Sequence, residues 1–252
     1  MLTKLLIICP LVFLGGFIDA IAGGGGLITL PAYLLAGLPP HNAIATNKIS
    51  SCCGTSVATV KLGLAGCVPL KESLFAVPCA LAGSALGAKI ALAIDDGVFR
   101  IILLVILPLT ALYVFTGKGL KEEQTCAPLA KTKLYTFTCL ISLGLGIYDG
   151  FYGPGTGTFL LLLFTGIAHM QMRQAAGLSK IINLSTNIGS LITYLFSGKA
   201  IFMLGLPAAV CSMLGARLGS GLFLKNGTRI VKPVMLTVLC VFFIKTITEL
   251  VG

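Results

Sequence analysis

The stretch Asp19-Ala-Ile-Ala-Gly23-Gly-Gly-Gly26, with Ala43-Ile-Ala-Thr-Asn47-Lys48 further on, is written a second time. The second copy reads Asp149-Gly-Phe-Tyr-Gly153-Pro-Gly-Thr-Gly157, with Ala175-Ala-Gly-Leu-Ser179-Lys180 further on. The two acids lie 130 residues apart and the two lysines 132. Working outward, Gly83 and Gly87 recur as Gly215 and Gly219, and Arg100 recurs as Lys232, again at 132. A long repeated unit that carries acids and lysines inside apolar sequence is the plan of many membrane transporters.

Composition fixes the solvent. Of the 252 residues 56 % are hydrophobic and 10 % charged, and the mean hydropathy is +1.01. A chain of this size cannot bury so much apolar surface in its own core, so lipid must cover it. Glycine, at 31 residues, suits membrane helices that approach closely. The net charge of +10 sits in short loops between apolar spans. It forms no dense patch, so we expect no nucleic-acid partner and read the charge as a topology signal. The nine cysteines are odd in number, include the adjacent Cys52-Cys53 and fall mostly inside apolar spans; they read as small core residues and not as a disulfide framework. Met1 to Ala22 resembles a signal peptide but runs straight into Asp19, so we read it as a retained first helix.

Apolar spans fall at roughly 3–22, 43–63, 70–93 and 98–117, and again at roughly 132–151, 174–197, 200–224 and 230–251. Most match an apolar bilayer core of ~30 Å, which takes about 20 helical residues. The stretches 27–38 and 158–168 are too short and are predicted to be half-helices or re-entrant segments. Glycine and proline at 23–26 and 153–157 break the helix before each, and such backbone survives at membrane depth only where protein or a water-filled cavity satisfies it. The predicted fold is all-α: a polytopic transmembrane bundle of two homologous repeats, 1–117 and 132–252, joined by a polar linker loop at 118–131. If the short segments complete a crossing, each half has five and the two are inverted. The loops then place ten basic residues on one side against five on the other, which makes that side cytoplasmic. If they turn back, each half crosses four times and the copies are parallel. We expect inversion.

Asp19 and Asp149 stand late in apolar helices, immediately before the breaks, and Lys48 and Lys180 stand about a turn into the helices that follow. An ionisable group in the membrane costs roughly 2.5–3.5 kcal/mol on insertion scales unless it is paired or faces water. One reading is structural, with Asp–Lys bridges holding the breaks in place. The other is functional. Lys48 and Lys180, with Asn47, Ser51, Ser179, Asn183 and Asn187 beside them, offer cationic and hydrogen-bonding groups to a small oxyanion. The free N–H groups of half-helices opened by Gly24, Gly25, Gly155 and Thr156 add a positive dipole end. Asp19 and Asp149 would balance the lysines in the empty site or carry a coupled proton or other ion. His41 reads as a plain surface histidine, Gly83/Gly87 and Gly215/Gly219 as helix-packing faces, and Arg217 as a lesser candidate for the substrate path.

The run Gly16-Phe-Ile-Asp19 through Pro31, continued by Gly37-Leu-Pro-Pro-His-Asn-Ala-Ile-Ala-Thr46-Asn47-Lys48, resembles the sulfite exporter TauE/SafE family. The second half keeps the later pattern in Ala175 to Asn183, Asn187-Ile-Gly189 and Ser197-Gly198-Lys199. The resemblance implies a multi-pass permease of the bacterial inner membrane, with sulfite, sulfonates or related sulfur-containing anions as substrates. Ser179, where the first copy has Asn47, departs from strict duplication. The expected function is a secondary transporter that works by alternating access, without cofactor, metal or catalysis and with a homo-oligomer left open. An anion channel that uses the same lysines, or a redox protein that uses Cys52 and Cys53, are the alternatives.

Overall fold

The computed structural model describes residues 1–99, 101–103, 105, 106, 129–226 and 230; the expected spans 98–117 and 230–251 and the linker 118–131 lie largely outside them. In chain order the helices are α1 (Leu2–Ala22), α2 (Gly26–Leu35), α3 (Pro40–Leu64), α4 (Leu70–Leu92), α5 (Lys131–Phe151), α6 (Thr156–Gly166), α7 (Met172–Phe196) and α8 (Phe202–Asn226). Lengths of 21, 10, 25 and 23 residues are followed by 21, 11, 25 and 25. The described residues contain no strand.

Local chemistry sets the ends of these helices. Gly23 closes α1 in the left-handed region at φ 80°, its N–H donating to the Asp19 carbonyl. A side chain there would also lie 2.3 Å from the Gly157 backbone, so conformation and space both demand glycine. Pro40 opens α3 at its first turn, where a missing N–H costs nothing. Helices α1, α4, α5 and α8 are long and apolar enough to cross a membrane. Large side chains such as Leu6, Leu14, Leu74, Leu86, Leu140, Leu214 and Leu218 stand exposed on them, which is the face lipid covers. Helices α3 and α7, at 25 residues each, are as long as any of these but carry buried polar faces, Thr46 to Ser50 on one and Ser179, Lys180, Asn183, Thr186 and Asn187 on the other.

The two halves interlock. Helix α1 packs on α8 and α5 on α4; α3 also packs on α8 and α7 on α4, and α3 meets α7 between them. The register of close approaches gives directions. Gly215 and Gly219 face the carbonyls of Phe13 and Phe17, each with a would-be Cβ only 2.1 Å away, so α1 and α8 run parallel. Gly83 and Gly87 face Leu143 and Ile147 in the same manner, so α4 and α5 run parallel. Gly54 meets Ser212, and Lys61 donates to the Arg217 carbonyl, which aligns α3 with α8. Thr59 reaches the Lys180 carbonyl while Lys48 reaches Asn187, so α3 and α7 run antiparallel. Helix α2 runs antiparallel to α1, Thr29 lying against Gly15, and α3 resumes the direction of α1, so the short helix takes the place of a crossing segment in the alternation. The glycine breaks meet at the centre, Gly23 against Gly157 and Gly26 against Pro154, with the Thr158 hydroxyl donating to the Ala22 carbonyl at 2.9 Å.

Candidate functional site

Around this central contact the four membrane charges pair crosswise between the halves. The Lys48 ammonium donates to Asp149 Oδ2 at 2.6 Å and to Asn187 Oδ1 at 3.1 Å. Lys180 donates to Asp19 Oδ2 at 3.1 Å and to the main-chain carbonyl of the same residue. Lys48, Asp149 and Lys180 are buried, and Asp19 is half-buried. Ions removed from water are tolerable only when paired and hydrogen-bonded, and here each pair also ties one half of the chain to the other.

The two lysines differ in surroundings. A cavity of about 40 Å³ lies where α1, α2 and α3 face the second-half residues Asp149, Gly153, Asn183 and Asn187, with Gly25 and Gly26 at the opening of α2, and Lys48 lines it while Lys180 does not. A buried water needs roughly 10–15 Å³ of such space, so there is room for about three waters or one small oxyanion. Asn187 Nδ2 donates to the Asn183 carbonyl and side chain, at 2.8 and 3.2 Å, which turns its own oxygen towards Lys48. The Thr29 hydroxyl and the Asn47 amide oxygen are buried on the same cavity with no hydrogen-bond partner. Buried polar atoms rarely stay unpaired, so a ligand or ordered water belongs there.

Of the residues expected at the site, Asp19, Gly25, Asn47, Lys48, Ser51, Asp149, Asn183 and Asn187 line this cavity. Gly24, Gly155, Thr156, Ser179 and Lys180 lie outside its lining. Thr156 and Ser179 instead bond back to the carbonyls of Gly153 and Ala176. The sequence reading missed Gly15, Gly16, Thr29, Gly54, Thr55 and Ser212. They are small uncharged residues in apolar helices, and no spacing marks them.

His41 is a correction. It is buried, stacks on Phe99 at 4.6 Å, and sets Nδ1 against Asp96 and Nε2 against the Ala91 carbonyl. Both ring nitrogens face oxygen atoms. It ties the start of α3 to the end of α4, where Asn42 also holds the Lys199 carbonyl at 2.8 Å. Burial raises the Asp96 carboxyl, but the hydrogen bond and charge of His41, with the charge of Lys199, outweigh it and hold that pKa below its ordinary value. Arg217 is exposed, and Cys52 and Cys53 lie outside the cavity lining. No group of three or more His, Cys, Asp or Glu side chains suited to a metal exists among the described residues.

A lipid-covered helical bundle with broken helices and paired charges around a small polar cavity defines a multi-pass membrane transport protein. The chain belongs to the sulfite exporter TauE/SafE family, whose profile matches residues 8–246. It is 35 % identical over 238 residues to a probable membrane transporter protein, ORF9, of Sinorhizobium sp, covering 94 % of this chain and 90 % of that protein. It is 34 % identical over 238 residues to the probable membrane transporter protein YfcA of Escherichia coli K12, covering 94 % and 87 %. With the probable membrane transporter protein YdhB of Bacillus subtilis it shares 23 % identity over 219 residues, 86 % and 89 % of the two chains. No solved structure matches it.

Proposed function

We propose that the protein is a secondary transporter that carries a small sulfur-containing oxyanion, sulfite or an organosulfonate, through the Lys48 cavity by alternating access. The observation that carries this reading is the cavity itself: a lysine, the N-terminal end of a half-helix and the unpartnered Thr29 hydroxyl converge on space for one small oxyanion. Lysine suits such an ion because it is a compact charge without a fixed planar geometry. The arriving anion competes with Asp149 for Lys48, so carboxylate and substrate alternate as partners. Asp149 and Asp19 then balance the empty site or take up a coupled proton. The family name supports the sulfur chemistry.

We also infer that 1–117 and 132–252 are inverted repeats. The parallel pairs α1/α8 and α4/α5, with α3 antiparallel to α7, support this, since α1, α3 and α8 then oppose α5, α7 and α4.

Thermal stabilisation of the purified protein by sulfite, thiosulfate, sulfoacetate, taurine, sulfate, acetate and chloride tests the substrate class. A ligand that prefers the native state must stabilise it. A selective shift with a sulfur oxyanion, weakened in Asn47→Ala and absent in Lys48→Met/Asp149→Leu, is expected. Equal shifts in all three proteins would move the site elsewhere.

A further inference from the structure

Four cysteines that the transport site does not use form a second duplicated feature. The register that sets Gly215 against Phe13 and Gly219 against Phe17 places Cys211 of α8 level with Cys9 of α1, with the two thiols near enough to interact. Gly83 against Leu143 and Gly87 against Ile147 likewise place Cys79 of α4 level with Cys139 of α5. These pairs are repeat-equivalent: Cys9 and Cys139 are 130 apart and Cys79 and Cys211 132, the same offsets that relate the acids and the lysines. All four are only partly buried and free. A groove of about 370 Å³ lined by Phe75, Tyr135, Thr136, Cys139 and Leu140 opens beside the second pair. Cys9 lies ten residues before Asp19 and Cys139 ten before Asp149. At 1.5 Å per residue this is about 15 Å of helix, half of the ~30 Å apolar core, which brings the thiols towards the membrane edge when the acids are central. Because α1 and α8 run opposite to α4 and α5, the pairs sit towards opposite ends of the bundle.

Each pair also lies on a seam built not to open. One turn beyond Cys211 come Gly215 and then Gly219, whose backbones touch α1 at Phe13 and Phe17; beyond Cys79 come Gly83 and Gly87, whose backbones touch α5. Main chain against main chain leaves no room for sliding. The contacts of α3 with α5 and of α7 with α1, by contrast, carry the ion pairs Lys48–Asp149 and Lys180–Asp19, where partners can exchange.

We propose that Cys9/Cys211 and Cys79/Cys139 are two dithiol sites that react with a small organic disulfide and close into internal disulfides, stapling the halves crosswise along seams that stay shut during transport. One thiolate attacks the reagent and releases one thiol; the neighbouring cysteine then displaces the second. The protein loses two hydrogens per pair, and one disulfide reagent becomes two thiols. The seam clause rests on the alternating-access reading above; the dithiol clause does not.

The test treats the full chain in proteoliposomes with 4,4′-dithiodipyridine, maps the peptides by mass spectrometry and follows sulfite flux before and after. The expected result is Cys9–Cys211 and Cys79–Cys139 bridges with no attached pyridine, absent in Cys9→Ala and Cys139→Ala, and flux unchanged by closure. Stable pyridyl adducts on these cysteines in place of bridges would overturn the dithiol sites. Bridges that abolish flux, with recovery on reduction by dithiothreitol, would overturn the shut seams. Absence of flux before treatment would count against the transport reading alone, since the peptide map is read independently.

Discussion

At the scale of single residues, Lys48 and Asp149 decide most. Truncating one member of a buried pair leaves the other charge uncompensated and costs roughly 3–5 kcal/mol, whereas replacing both by apolar groups of similar volume is often neutral. Lys48→Met is therefore expected to melt well below the parent protein in detergent, and Lys48→Met/Asp149→Leu to recover most of that loss while binding no anion. Asp149→Asn removes the competitor for Lys48. A hydrogen bond to a charged group is worth roughly 1.5–3 kcal/mol, so anion affinity should rise by about tenfold or more while turnover falls; equilibrium binding and flux measure the two separately. The pairing itself was partly legible. Duplicated acids and lysines in apolar sequence marked candidate site residues, but only the fold shows that Lys48 bonds Asp149 and Lys180 bonds Asp19, across the halves. Thr29 and Ser212 were illegible because an uncharged hydroxyl in an apolar helix usually bonds its own backbone and carries no signal.

At the scale of elements, glycine spacing was the readable code. Gly83, Gly87, Gly215 and Gly219 read as packing faces, and each meets a carbonyl of the neighbouring helix. Gly150→Ala would set a methyl 1.9 Å from the Ser84 carbonyl, while Gly144→Ala meets nothing within 4 Å. The first should destabilise by about 1–3 kcal/mol or more through overpacking, and the second should be neutral or stabilise by up to about 1 kcal/mol through helix propensity; paired melting curves check both. The contact between α3 and the end of α4 was not readable, because it depends on Asp96 folding back over His41. Asp96 has its pKa lowered in the folded protein, so its contribution is present above the ordinary carboxylate value of ~3.9 and is lost as pH falls through the lowered one. The stability difference between the parent and Asp96→Asn should thus shrink as pH drops below about 4, seen as converging melting temperatures.

At the scale of the molecule, composition and segment lengths already fixed a lipid-embedded helical bundle with two half-length helices. What they could not convey is that neither half packs as a body of its own, since helix order says nothing about which long helices touch. Each half lends its last described helix to the other, α4 to α5 and α7, and α8 to α1 and α3. The central cavity lies between these exchanged groups, and under the proposed alternating access their relative tilt would open it to one side or the other. A carrier built this way exposes the Lys48 cavity to one side at a time, and a channel exposes it to both. The measurement that separates them is counterflow: proteoliposomes loaded with unlabelled sulfite are diluted into a trace of ³⁵S-sulfite. Saturable uptake that overshoots equilibrium, and that Lys48→Met/Asp149→Leu abolishes, is the predicted result. Flux that rises linearly with concentration and shows no overshoot would contradict the account.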